Sequence, residues 1–243
     1  MQHPFNLTYK SLGSSAILIE WINQIDEAIL YDILSLQVKV EIDLHDVLVE
    51  TINAYNSLTI IYNPNQISFS ELKEKIKALY KASNHENKIA SKKWMIPVCY
   101  DQEFGIDLEE ISKKNNFTID EIIEAHSRPD YVVYFTGFLP GFLYLGGLPK
   151  SLHMPRRATP RVRIRQGAVA IGGAQTGIYP SESPGGWNII GNSPLIFFDP
   201  SQSPPCFAKA GDHLQFYSIN KSEYDLIAKE ITSGKFIVES KAL

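Results

Sequence analysis

From residue 131 onward the chain is cut into short β-rich runs by glycine and proline, and this texture limits the fold more than any other feature. The runs cover 131–137, 162–164, 168–172, 189–191, 195–199 and 214–219. Strands at such spacing, with turns between them, build a barrel or a sandwich. A closing helix is expected over 222–232 and a last strand over 236–239.

The first 90 residues have a different period. An apolar run at 16–21 reads as a strand. Ile22, Ile25, Ile29, Ile33, Leu36 and Val40 then recur at helical spacing, although 38–42 also alternates like a strand. Two strands, 47–51 and 58–62, flank the polar turn 53–57. Ser68-Phe69-Ser70-Glu71 is a capping box, and Leu72, Ile76, Leu79 and Tyr80 continue one helix face. A strand over 94–100 completes the order β-α-β-β-α-β of a ferredoxin-like split βαβ unit. Two short helices follow, one around Leu108 and Ile111 and one from the capping box at Thr118 to about His126. The chain is therefore expected to be α+β, with a ferredoxin-like domain at 1–90 and a β-barrel domain at 91–243. The boundary falls within 85–105, near the polar stretch 81–93.

A net charge of −4 argues against general nucleic-acid binding. No apolar run reaches the roughly 18–20 residues that span a bilayer. The first residues lack a basic segment followed by an apolar one, so no secretory signal is expected. Two cysteines, Cys99 and Cys206, suit a reducing cytoplasm and cannot form a disulfide framework.

Against that background the arginines stand out. Five of six, Arg156, Arg157, Arg161, Arg163 and Arg165, fall within ten residues, whereas the seventeen lysines are spread over the chain. Guanidinium grips carboxylate or phosphate with two parallel hydrogen bonds. Arg161, Arg163 and Arg165 alternate with Val162 and Ile164, which one solvated strand face also explains. Arg156 and Arg157 precede that strand, between Pro155 and Pro160, where proline stiffens the backbone. Arg156, Arg157 and Arg161 are the candidates for holding a carboxylate.

The run Gly172-Gly173-Ala174-Gln175-Thr176-Gly177 fits neither a phosphate loop nor a dinucleotide fingerprint. Its glycines suit a tight turn, while Gln175 and Thr176 offer polar groups to a small ligand. Ser183-Pro184-Gly185-Gly186-Trp187 is a turn whose Trp187 either packs on the barrel or walls a ligand. The segment 137–147 is very apolar for one so rich in breakers. It is either core or a surface that partners cover, with Phe138, Phe142 and Tyr144 as the partner-facing candidates. The six histidines show no metal-ligand spacing, so no metal site is expected, and His126 alone invites a test. There is no nucleophile elbow, so the catalytic residues stay unassigned.

Several of these motifs occur together in fixed order: Gly137-Phe138-Leu139-Pro140-Gly141-Phe142, Pro155-Arg156, Pro160-Arg161, Gly167-Ala168-Val169-Ala170-Ile171, Gln175-Thr176, Ile178-Tyr179-Pro180 and Ser183-Pro184-Gly185-Gly186-Trp187. The set resembles the 5-oxoprolinase B-subunit family, also called KipI-like and, in older naming, allophanate hydrolase subunit 1. The N-terminal half agrees more loosely, with Ser14 and Asn53 where the family often has Asp and Pro. The resemblance implies a cyclophilin-like barrel. It also implies a role with partner subunits A and C in hydrolysing 5-oxo-L-proline to L-glutamate at the expense of ATP. The chain alone would be inactive, and ATP would be used by the complex, since no nucleotide motif is present here. The Arg cluster would then receive the substrate's carboxylate. The alternative that the resemblance carries is a KipI-like inhibitor of a sensor histidine kinase, a binding module with no reaction.

Overall fold

The computed structural model describes residues 5–82 and 90–243. The chain divides into two compact units, Met1–Ile89 and Ala90–Leu243. Most of the polar stretch expected near the boundary lies outside the described residues.

The first unit contains β1 (Thr8–Leu12), β2 (Ala16–Glu20), α1 (Glu27–Asp43), β3 (Leu48–Asn53), β4 (Ser57–Tyr62) and α2 (Phe69–Lys81). Its antiparallel sheet has the order β1-β2-β4-β3, so β4 lies between the two strands that α1 connects. That is the split βαβ arrangement. Helix α1 begins where Asp26 accepts a hydrogen bond from the Ala28 amide at 2.7 Å. Its helical period runs to Asp43, so the strand-like alternation at 38–42 is overridden, and Val38 and Ile42 simply lie on the exposed face. Helix α2 starts at the expected capping box and buries Leu72, Ile76 and Tyr80, spaced four apart. The buried Asp32 carboxylate accepts from Trp21 Nε1 and from Tyr80 Oη, both at 2.7 Å, and so ties α1 to both neighbours.

One element is placed differently from the sequence expectation. The strand expected at 94–100 is β5 (Lys92–Cys99), and it belongs to the second unit. The fourth strand of the first sheet is β1 instead, at the position beside β2. Its residues, Thr-Tyr-Lys-Ser-Leu, form a mostly exposed edge with no apolar alternation, which is why the sequence pattern passes over it.

The second unit continues with α3 (Leu108–Asn115), α4 (Ile119–Ser127), β6 (Tyr131–Thr136), β7 (Leu143–Gly146), β8 (Arg161–Ile164), β9 (Ala168–Gly172), β10 (Gln175–Ile178), β11 (Ser183–Gly185), β12 (Asn188–Asn192), β13 (His213–Ile219), α5 (Lys221–Thr232) and β14 (Ser240–Ala242). The large sheet runs β12-β9-β10-β7-β6-β13-β5-β14. The extra pairing of β12 with β5 closes its first seven strands into a barrel. The barrel and the α+β class agree with the sequence expectation. Segment 195–199 is not a strand: Leu195 and Phe197 are buried and Ile196 is exposed, as in a strand, but the backbone joins no ladder. The last strand begins at Ser240, just beyond the expected 236–239.

Strand β9 is buried along its whole length because both of its faces are covered. Val169 and Ile171 join the main core with Ile96, Val133, Leu145, Leu214 and Phe216. Ala168 and Ala170 face a second apolar cluster formed by Phe142, Ile164, Tyr179, Trp187 and Ile189. Alanines on that side leave room for large rings. The two-stranded ribbon β8–β11 carries Ile164 into this second cluster.

Candidate functional site

The aromatic cluster forms the wall of a cleft of about 290 Å³. Phe138, Phe142, Tyr144, Tyr179 and Trp187 line it, together with Arg156, Arg157, Pro160, Pro184, Gly185 and Gly186. No carboxylate is among the lining residues.

Each wall has a local cause. Phe142 closes the turn Leu139-Pro140-Gly141-Phe142, in which its amide donates to the Leu139 carbonyl at 3.0 Å. Proline and a positive-φ glycine at the two central positions favour that turn. Phe142 meets Tyr179 edge-on at 5.2 Å and Trp187 edge-on at 5.5 Å, and Tyr144 lies 4.8 Å from Phe142. Trp187 fits because Gly172 has no side chain: a Cβ there would meet the indole at 2.5 Å. The arginine segment is pinned to the Trp187 turn. The Arg157 amide donates to the Gly186 carbonyl at 2.7 Å, and buried Asn188 Nδ2 donates to the carbonyls of Pro155 and Ile171.

The five clustered arginines have separate fates. Asp107, 3% exposed at the head of α3, accepts from Arg157 Nη1 at 3.1 Å and from Arg161 Nη2 at 2.6 Å through one oxygen. Its other oxygen accepts the Ile189 amide at 2.6 Å. Arg157 also reaches Glu110 at 2.9 Å. Arg163 pairs with Glu182, and Arg165 lies over the Phe104 ring at 5.6 Å. Arg156 has no carboxylate partner among the described residues, and its guanidinium sits 5.6 Å from the Trp187 ring centroid. Burial pushes the Tyr144 and Tyr179 phenols above their ordinary range, with Arg156 opposing the shift at both, so both remain protonated donors at neutral pH.

The cleft thus unites three separate stretches of the chain: Arg156 with Arg157, Trp187, and the apolar loop. Other candidates fall elsewhere. Arg161 does not line the cleft; it serves Asp107, and its buried Nη1 lacks a partner among the described residues. Gln175 is half-buried at the start of β10, outside the cleft. Thr176 is fully buried in a core network. It donates to the Ala170 carbonyl at 3.0 Å, so at 2.9 Å it must accept from His126 Nε2–H, and His126 Nδ1 then accepts from Tyr100 Oη at 2.8 Å. Burial pushes His126 down to about 3, so this histidine is a neutral structural link between α4 and the barrel.

The partner-facing expectation for the apolar loop needs correction. Phe142 is 1% exposed and belongs to its own unit's core, because small residues around it leave a hole that the ring fills. Tyr144 is half-buried, and only Phe138, at 63%, stands out. Sequence reasoning missed Asp107 and Tyr179. Asp107 carries no motif, while Tyr179 lies in the Ile178-Tyr179-Pro180 match already noted.

A cationic mouth on an aromatic, uncharged wall suits a small organic anion with a flat body. Among the described residues no group of three His, Cys, Asp or Glu side chains could hold a metal ion. Likewise, among the described residues no helix is long and apolar enough to cross a membrane.

Comparison with known proteins supplies the lineage. Residues 7–208 match the family described as "Carboxyltransferase domain, subdomain C and D". The 5-oxoprolinase B subunit of Bacillus subtilis (strain 168) is 36% identical over 231 residues, covering 91% of this chain and 96% of that protein. The corresponding 5-oxoprolinase protein of Haemophilus influenzae (Rd) is 43% identical over 172 residues, covering 70% of this chain and 78% of that one. The crystal structure of TTHA0988 superposes with a TM-score of 0.75 at 31% identity, over 84% of this chain. This chain spans only 40% of that longer one. By sequence match over most of its length and by shared fold, the chain belongs to the 5-oxoprolinase B-subunit family.

Proposed function

We propose that this chain is the B component of an ATP-dependent 5-oxoprolinase complex, which with subunits A and C hydrolyses 5-oxo-L-proline to L-glutamate. In this reading the cleft receives the substrate's carboxylate at Arg156, with Arg157 behind it. The observation that carries the reading is Arg156 itself: it is the one cleft guanidinium that no carboxylate holds among the described residues, and it is fixed over Trp187. Arg157 is already neutralised by Asp107 and Glu110, so it shapes the local field more than it grips a ligand. The walls suit a flat lactam ring, which is uncharged apart from its carboxylate.

The chemistry of ring opening and the use of ATP belong to the assembled complex in this proposal. The cleft offers no nucleophile paired with a base, and Gly172–Gly177 spans the ends of two strands rather than a phosphate loop. The relatives are named as components of 5-oxoprolinase, which supports both the reaction and the need for partner subunits. The test is reconstitution. The chain mixed with subunits A and C should show 5-oxoproline-dependent ATP hydrolysis and glutamate release, and each should vanish when this chain is left out. Full activity without this chain, or activity from it alone, would overturn the proposal.

A further inference from the structure

Phe138 is the one residue of the cleft held in an unfavourable backbone conformation. Its φ is +67°, a region that side chains other than glycine rarely adopt. The Leu139 amide donates to the Gly137 carbonyl at 2.8 Å across it, so Phe138 is the centre of a positive-φ γ-turn, a rare and strained turn. Glycines flank this position closely, at 137 and 141, yet the strained residue itself carries a large ring. The ring is 63% exposed, so core packing does not account for it. What it does touch is the cleft: it stands edge-on to Phe142 at 5.7 Å and to Tyr179 at 6.5 Å. Strain of this kind persists only where the surrounding structure enforces it, and it concentrates at ligand clamps.

We infer that Phe138 is the specificity-determining residue of the cleft: its ring is held out by the strained turn to cover an anion whose single carboxylate is carried on a flat, uncharged ring. This rests on the reading of the cleft given above and adds the rule by which it selects. A ring carboxylate can place its charge at Arg156 and its body between Phe138 and the other aromatic walls. An open-chain amino acid such as L-glutamate brings an ammonium and a second carboxylate as well. That ammonium would lie beside Arg156 with no lining carboxylate to receive it, and Arg157, already held by Asp107 and Glu110, would not compensate the added carboxylate, so the burial of both charges would go uncompensated. The cleft would thereby hold the closed lactam and release the opened product.

The experiment measures binding of three probes to the full-length chain by calorimetry: 5-oxo-L-proline, cyclopentanecarboxylate and L-glutamate. Wild type is compared with Phe138→Ala, Phe138→Gly and Arg156→Lys, and each variant's thermal midpoint is recorded. Both ring carboxylates should bind wild type at least about tenfold more tightly than glutamate, as expected when a buried charge lacks a partner. Phe138→Ala and Phe138→Gly should each weaken the ring carboxylates by about fivefold, the scale of one lost aromatic contact. The two variants remove the same ring, but only glycine relieves the positive φ, so Phe138→Gly should melt above Phe138→Ala.

If the Phe138 variants bind as wild type does while Arg156→Lys does not bind, the specificity inference fails and the cleft reading stands. If cyclopentanecarboxylate binds in a Phe138-dependent way but 5-oxoproline does not, the inference stands and the substrate assignment fails. Phe138 variants with intact probe binding but lost co-purification with a partner protein would assign the ring to a protein interface and overturn the inference. Binding of none of the probes would overturn both.

Discussion

Arg156 lies with its guanidinium 5.6 Å from the centre of the Trp187 ring, while Arg157, the next residue, is tied to Asp107 and Glu110. Adjacent arginines therefore have different chemistry: one is spoken for by carboxylates, and the other, among the described residues, lies against a ring face with no carboxylate partner. The difference orders the expected effects of substitution.

Arg156→Lys keeps the charge but loses the planar fork and the stacking surface. A lost charge-assisted hydrogen bond costs about 1.5–3 kcal/mol, or roughly 10- to 150-fold. The reconstituted complex should lose at least about tenfold in 5-oxoproline turnover with an unchanged unfolding midpoint. Arg163→Lys, whose partner Glu182 lies outside the cleft, should change turnover by less than about twofold, as a surface substitution does. Equal effects at 156 and 163 would remove the distinction.

Asp107 holds two guanidiniums and the Ile189 amide with one carboxylate. Asp107→Ala leaves Arg161 with no carboxylate among the described residues and leaves the start of β12 without its side-chain acceptor. Arg161 and Arg157 are 24% and 30% exposed, so solvent recovers part of the loss. Denaturant unfolding should show a loss of about 3 kcal/mol, the lower end of what removing one partner of a buried pair costs. A loss below about 1 kcal/mol would mean that the pairs are as weak as surface ones.

Phe142→Asp should unfold the second unit rather than merely detach a partner. The ring packs against Tyr144, Tyr179 and Trp187, and a carboxylate there would be buried without a partner. The loss should exceed about 4 kcal/mol, the scale for deleting a buried aromatic ring before any charge is counted. A soluble variant with native near-ultraviolet circular dichroism would contradict this packing.

His126 makes stability depend on pH in a defined window. Burial lowers it from 6.5 to about 3 in the folded chain. Between those values the unfolded chain binds a proton that the folded chain refuses. Stability therefore rises with pH across the window and is lost as pH falls below 6.5, by up to about 1.4 kcal/mol per pH unit. Replacing His126 with Phe should remove this slope while leaving the carboxylate contributions in place. Equal slopes for both chains between pH 6 and pH 4, measured by denaturant midpoints, would show that His126 titrates normally.

Local pattern made much of this protein legible. Periodicity places α1, and the capping boxes at Ser68 and Thr118 place α2 and α4, because hydrogen bonds between neighbours in sequence decide where helices begin. Short runs bounded by glycine and proline mark β6, β9, β12 and β13, and the arginine cluster with Trp187 points to the cleft. What sequence could not supply depends on groups distant along the chain. Strand β5 looks like a completion of the first sheet, yet it pairs with β13 more than a hundred residues later, because a strand's apolar pattern marks it as a strand without naming the strand it pairs with. Strand β1, polar and at an edge, carries no periodic signal. The five arginines look alike in the chain. Only folding brings Asp107 to Arg157 and Arg161 while leaving Arg156 to an indole, because ion pairing is a matter of ångströms across space and not of spacing along the backbone.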